Sequence, residues 1–167
     1  MTGIMLLSLA FTLSCLLAAV SAQIEETVPP SAHIEGGDPR PVDYPEDKVI
    51  ASWNPNHPKS HLKNGFTFDG SHLIVPAGGL YYIYVQLYFN AEPQATMNRV
   101  GVFTDQSLLL MIHKSMEPNT EETATAGGVF QLNKGQRVFV KPLKGLGSVK
   151  MWLGPNHTYF GLFKISY

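Results

Sequence analysis

Gly79-Leu80-Tyr81-Tyr82-Ile83-Tyr84-Val85-Gln86-Leu87-Tyr88-Phe89 is a run without a single charge, dense in aromatic and β-branched side chains. That composition predicts one long strand. Successive side chains on a strand point to opposite faces. The odd positions are Tyr81, Ile83, Val85, Leu87 and Phe89; the even ones are Leu80, Tyr82, Tyr84, Gln86 and Tyr88. The odd set suits a sandwich core. The even set carries large rings with a polar tip, the kind of side chain favoured where a surface is buried against a partner. At about 25 cal/mol per Å² and roughly 150–250 Å² per ring, three such tyrosines are worth several kcal/mol when covered. With no amphipathic helix pattern elsewhere to cover it, the even face calls for another sheet or another subunit.

Upstream, Ser31 to Glu35 reads as a first short strand. The interval 36–58 gathers Pro39, Pro41, Pro45, Pro55 and Pro58 and is expected to be mostly loop, with Trp53 plugging one end of the core. Leu62 to Phe68 and Ser71 to Val75 are expected as two strands around the turn signal Asp69-Gly70. Downstream, Thr96 to Thr104 and Leu108 to Lys114 flank Asp105-Gln106-Ser107, and Met116 to Glu122 reads as a polar loop. Ala124 to Leu132 and Gln136 to Leu143 flank Asn133-Lys134-Gly135, a short-loop hairpin pattern; Val149 to Leu153 and Thr158 to Tyr167 complete the chain. Nine or ten short strands without helical periodicity predict an all-β sandwich. In the last strand Tyr159, Phe163, Ile165 and Tyr167 share one face and Phe160 and Leu162 the other, so both faces are again apolar. Two such strands imply an oligomer.

Residues 1–22 hold an apolar stretch followed by Val20-Ser21-Ala22, the small-residue pattern of a signal-peptidase site, and predict a signal peptide cleaved after Ala22. The alternative is an uncleaved anchor, which would make a type II membrane protein. Residues 23–30 read as a short extended leader without its own structure, and 31–167 as a single domain. The only cysteine, Cys15, lies in the signal segment, so the mature domain must rest on packing rather than disulfides. A net charge of −1, with the charges scattered, argues against nucleic acid as a partner.

The residues propose no active site, so an enzyme is not expected. His57 and His61 have an i, i+4 spacing, but Pro58 between them breaks the helix that a metal pair would need. His33, His72, His113 and His157 look isolated, and Glu121-Glu122 reads as solvated charge. No Gly-x-Ser-x-Gly elbow and no phosphate-binding loop is present. Cofactors and metals are therefore not expected. Asn156-His157-Thr158 is a glycosylation sequon, which marks Asn156 as a candidate acceptor in a secreted chain.

The run Val75-Pro76-Ala77-Gly78-Gly79-Leu80-Tyr81-Tyr82-Ile83-Tyr84-Val85-Gln86 resembles the "VP..GLY.IYSQV" strand of the tumour necrosis factor superfamily. Residues Gly127-Gly128-Val129-Phe130-Gln131-Leu132-Asn133-Lys134-Gly135-Gln136-Arg137 resemble its "GGVFQLEKGDR". The terminal Tyr159-Phe160-Gly161-Leu162-Phe163-Lys164-Ile165 and the Ala32-His33 pair resemble its closing strand and opening motif, so the likeness spans residues 31–167. It implies a tumour necrosis factor homology domain: a jelly roll of ten antiparallel strands in a compact homotrimer. It implies, further, a secreted, extracellular, cytokine-like ligand that clusters receptors of the tumour necrosis factor receptor superfamily.

The resemblance places Tyr82, Tyr84, Gln86, Thr125, Tyr159 and Phe163 at the subunit interface, with Thr125 standing where relatives often have an aromatic. It assigns receptor contact to the early loop, with Asp43 and Tyr44, and to the loop after the strand ending at Thr104, with Phe103, Thr104, Asp105 and Gln106. Two other readings share the architecture. The globular head of complement-type proteins would be a pattern-binding module, but its Gly-x-y stalk is absent from the sequence. A cupin-like enzyme would need clustered metal-binding histidines.

Overall fold

The structure, a computed structural model, describes residues 28–91, 93, 96–145 and 147–166. The signal segment with Cys15, most of the leader and Tyr167 lie outside the described residues. Thirteen strands are present among them. In chain order they are β1 (Ser31–Gly36), β2 (Pro41–Tyr44), β3 (Trp53–Asn54), β4 (His61–Lys63), β5 (Thr67–Phe68), β6 (Leu73–Ile74) and β7 (Gly79–Asn90). There follow β8 (Thr96–Thr104), β9 (Leu108–Met116), β10 (Glu121–Leu132), β11 (Arg137–Pro142), β12 (Val149–Trp152) and β13 (Tyr159–Ser166). The all-β expectation holds; two antiparallel sheets resemble a jelly roll.

The eight-stranded sheet runs β2-β12-β7-β13-β1-β3, with β10 also paired to β7 and β4 to β1. The five-stranded sheet runs β5-β6-β11-β8-β9. The run that opened the reading is β7, central in the larger sheet, with twelve consecutive pairings to β10 on one side and seven to β13 on the other. Its alternation is complete. Tyr81, Ile83, Val85, Leu87 and Phe89 are buried between the sheets with Ile34, Leu73, Val100, Val138, Met151, Phe160 and Leu162. Tyr81 lies on that face because its hydroxyl finds the Ala77 carbonyl at 2.7 Å, which removes the cost of burying it. Trp53 closes one end as expected, its ring 4.6 Å from Phe160 and its indole N–H donating to the Ile50 carbonyl at 2.9 Å.

Four expectations need correction. The Asn133-Lys134-Gly135 turn does not close a hairpin: β10 pairs with β7, whereas β11 pairs with β6 and β8 in the other sheet. The turn is gripped instead by Val75, through Val75 N–H to Gln136 O (2.9 Å) and Gly135 N–H to Val75 O (2.8 Å). Leu62 to Phe68 is not one strand, because Asn64 and Gly65 (φ 52° and 92°) turn the chain from β4 in one sheet to β5 in the other. The interval 36–58 is less loop than expected, since it supplies both β2 and β3. Proline did not forbid β2, because Pro41 is its first residue and β2 is an end strand of the sheet. The stretch 116–122 is likewise shortened, with β9 running to Met116 and β10 starting at Glu121. At the amino end of the domain, the Pro30 carbonyl accepts from Lys164 N–H at 2.9 Å, so the last leader residue is tied to β13.

Candidate functional site

Residues directly opposite on neighbouring strands share a face. The register therefore lays out the outward face of the larger sheet as a series of rungs. One rung sets Val129, Tyr82, Phe163, Ser31 and Lys63 side by side on β10, β7, β13, β1 and β4. The next holds Gly127, Tyr84, Gly161, His33 and His61, and the third Thr125, Gln86, Tyr159 and Glu35. All six residues carried over for a subunit interface, Tyr82, Tyr84, Gln86, Thr125, Tyr159 and Phe163, thus stand on one continuous face.

The rungs differ in chemistry. The β10–β7–β13 part of the first rung is apolar and exposed: Tyr82, Val129 and Phe163, with Leu80 and Ile165 further along the strands, are 36–52% exposed. Large apolar groups left in water on neighbouring strands of one face form the kind of patch that marks an interaction site. Tyr82 lies 5.5 Å from the Phe163 ring and 6.3 Å from Tyr84, so the rings form one stack. The second rung shows why its glycines stand there. A Cβ on Gly161 would meet the Ala32 carbonyl oxygen at 2.4 Å and the Tyr84 hydroxyl at 2.5 Å, and one on Gly127 would meet the Tyr82 hydroxyl at 2.4 Å. Each tyrosine lies flat over the glycine of an adjoining strand, covering backbone that no side chain of its own protects.

The third rung is polar and already paired. Gln86 accepts from the Tyr159 hydroxyl at 3.0 Å and donates to the His157 carbonyl at 3.0 Å. Glu35, 2% exposed, accepts from Asn156 N–H at 2.7 Å and lies 3.4 Å from His33 Nε2. His33 Nδ1 is 2.8 Å from the Tyr84 hydroxyl. A carboxylate only accepts, so the imidazole proton sits on Nε2 and Nδ1 accepts from Tyr84. Burial, with the Tyr159 and Glu35 charges adding to it, pushes the Tyr84 hydroxyl up to about 12, so it stays a neutral donor. Beyond this rung, Trp152 stacks on His157 at 4.7 Å and Tyr88 stands edge-on to both; Tyr88 donates to Glu121 at 2.6 Å.

Residues read as isolated or solvated in the sequence have partners. His33 stacks on His61 with centroids 6.0 Å apart, and His72 lies 3.1 Å from Asp69. Glu121 accepts from Tyr88 and Asn90, and Glu122 pairs with Lys114. His33 and Glu35 share a face of β1 by parity, whereas His61 joins them only through the β1–β4 pairing, which the sequence reading did not anticipate. Leu80, Val129 and Ile165 were legible in principle from parity. No group of three or more His, Cys, Asp or Glu side chains among the described residues could hold a metal ion.

The receptor-loop candidates are scattered over different environments. Asp105 and Gln106 are exposed at the β8–β9 turn, where Asp105 is held by Arg137 through contacts of 2.6 and 2.9 Å. The hydrogen bond to that guanidinium keeps the Asp105 carboxyl below the usual range. Thr104 is no exposed tip: it is 4% exposed, and its Oγ1 accepts from Gln106 and Ser107 N–H. Phe103 lies on the outer face of the smaller sheet, stacked on Phe139 at 6.0 Å with the Lys141 ammonium 4.6 Å from its ring centre. Asp43 and Tyr44 are on β2 rather than in a loop, and Tyr44 is buried. Asn156 is exposed in a left-handed conformation (φ 72°) and accepts from Lys59 Nζ.

A model of the TNF (Tumour Necrosis Factor) family matches residues 51–165. Lymphotoxin-alpha of Rattus norvegicus is 27% identical over 158 residues, covering 82% of this chain and 77% of its own length. Lymphotoxin-alpha of Sus scrofa is 29% identical over 156 residues, covering 83% and 72%. The structure of Eiger TNF from S. frugiperda superposes with a TM-score of 0.65 at 21% identity, over 83% of this chain and 94% of that one, which is a likeness of fold.

Proposed function

This chain belongs to the tumour necrosis factor family, and on that premise we propose that it is a secreted, homotrimeric, cytokine-like ligand that binds and clusters receptors of the tumour necrosis factor receptor superfamily. Family membership makes it a non-enzymatic protein. The observation that carries the reading is the outward face of the larger sheet. Its stacked Tyr82, Tyr84 and Phe163, flanked by Leu80, Val129 and Ile165, form an apolar surface that the described residues leave partly exposed. Covering it with two further copies would bury Tyr82, Tyr84, Gln86, Thr125, Tyr159 and Phe163 about a three-fold axis. Three equivalent clefts between subunits would then engage up to three receptors, and the multivalent geometry would bring them together. Asp105, Gln106 and Asp43 are the exposed candidates for receptor contact, with Phe103 as an apolar neighbour.

Sedimentation equilibrium at micromolar concentration tests the assembly: a trimer is expected, and a monomer overturns the reading. Binding of the trimer to a panel of receptor ectodomains tests the activity. Amino-terminal sequencing of the secreted product should find Gln23; an intact amino terminus retained in membranes would establish the anchored form instead. Asn156 is proposed as a glycan acceptor. The Thr158 hydroxyl is fully buried, donating to the Trp152 carbonyl (2.8 Å) and accepting from Tyr88 N–H (3.0 Å), so transfer has to precede folding of this segment. Mass spectrometry of the secreted protein, before and after glycosidase treatment, checks it.

A further inference from the structure

The second rung brings two imidazoles onto the face proposed to close between subunits. His33 and His61 are directly opposite on β1 and β4, their rings 6.0 Å apart and 18° from parallel. They stand on the same face as Tyr84 and Tyr159, with the His33 ring 5.8 Å from the first and 5.1 Å from the second. Every charged or titratable group facing them can be named. From β1 comes Glu35, 3.4 Å from His33 Nε2; from β4 comes Lys63, on the rung beside His61. From β7 and β13 come Tyr84 and Tyr159; Lys59, in the loop before β4, meets His61 through its backbone and donates its ammonium to Asn156 Oδ1. The set therefore contains one carboxylate for two imidazoles, with one lysine beside them.

We propose that the His33–His61 pair makes subunit assembly acid-labile. This rests on the trimer reading above. Protonating His61 adds a positive charge next to Lys63, while the Glu35 carboxylate lies against His33 instead, on a face that must lose its water when subunits close. Desolvating an uncompensated charge is costly, so the protonated form favours separated subunits. Even in the single chain, burial and then the nearby His33 and Lys63 charges hold His61 below the ordinary histidine range. Closing the face extends both effects.

The test is the subunit dissociation constant at pH 7.5 and pH 5.0, at fixed ionic strength, by sedimentation, with far-ultraviolet circular dichroism on the same samples. The wild type is expected to dissociate at least about tenfold more readily at pH 5.0 while keeping its β-sheet signal. His61→Gln should cut that pH ratio to within about threefold, and Lys63→Gln, at an exposed position, should reduce it by a smaller factor. Equal trimer affinity at the two pH values overturns the proposal and leaves the trimer reading intact, as does a His61→Gln ratio equal to wild type. Unfolding at pH 5.0 overturns it as well. A chain that is monomeric at pH 7.5 overturns the trimer reading and this proposal together.

Discussion

The two faces of β7 are built from nearly the same side chains and meet opposite fates. Tyr81, Ile83, Val85, Leu87 and Phe89 are at most 3% exposed, whereas Leu80 and Tyr82, one residue out of phase, are 38% and 36% exposed. Hydrophobicity alone does not tell them apart. What differs is the neighbouring layer: the odd face packs against side chains of the five-stranded sheet, and among the described residues the even face has the rings of its own sheet. The first face stabilises the single chain. The second contributes its apolar area only when another molecule covers it, so a change there should be read in association rather than in folding.

Five substitutions put that contrast at risk. The largest effect is expected from Tyr84→Glu, which would place three carboxylates near one axis. At several kcal/mol for each unpaired buried charge, the trimer should dissociate roughly a thousandfold or more, while the single chain still unfolds cooperatively. Size-exclusion chromatography with light scattering reads the outcome, and a persistent trimer would move the interface off this face. Phe89→Ala, on the other face, should lower folding stability by about 3–5 kcal/mol in urea titrations, since it empties a site with no exposure. A loss under about 1 kcal/mol there would contradict the assignment of faces.

Gly161→Ala lies where the two faces are coupled. Its Cβ would press on the Ala32 backbone oxygen, which cannot swing away, and a loss of about 1–3 kcal/mol is expected. Gly127→Ala meets only the tip of Tyr82 and should cost less, a difference that differential scanning calorimetry can resolve. The smallest change is expected from Asp105→Asn, away from both faces. Its bond to Arg137 is largely in solvent, so the loss should be at most about 1 kcal/mol and should fade in high salt. The sign with pH follows from the lowered Asp105 pKa: the contribution is present above the ordinary carboxylate range and is lost as pH falls below it. A wild-type minus variant difference in urea midpoint that grows toward acid would refute that assignment.

Much of this arrangement was legible from residue order. Period-2 alternation separates the faces of β7 and β13 without any knowledge of their neighbours, because side-chain direction on a strand is a local property. Turn chemistry was legible too, as at Asp105-Gln106-Ser107 between β8 and β9. The same chemistry misled at Asn133-Lys134-Gly135, since a tight turn specifies a reversal of direction and not which strands bond. Pro41 misled differently: proline removes one donor, which an end strand can spare. Thr104 was expected at a receptor-contact loop but is buried, with its hydroxyl accepting from the turn that follows.

The sequence by itself determined that β7 and β13 would each have two apolar faces and that the chain would be an all-β domain, because alternation and β propensity act residue by residue. Only the tertiary structure decided what shares the even face with Tyr84. His33 meets Gly161 across one ladder and His61 across another, and Glu35 reaches Asn156 from 121 positions away in the chain. Pairings of that kind are set by which backbone edges are left free when the sheet closes, a property of the whole fold that no local pattern carries.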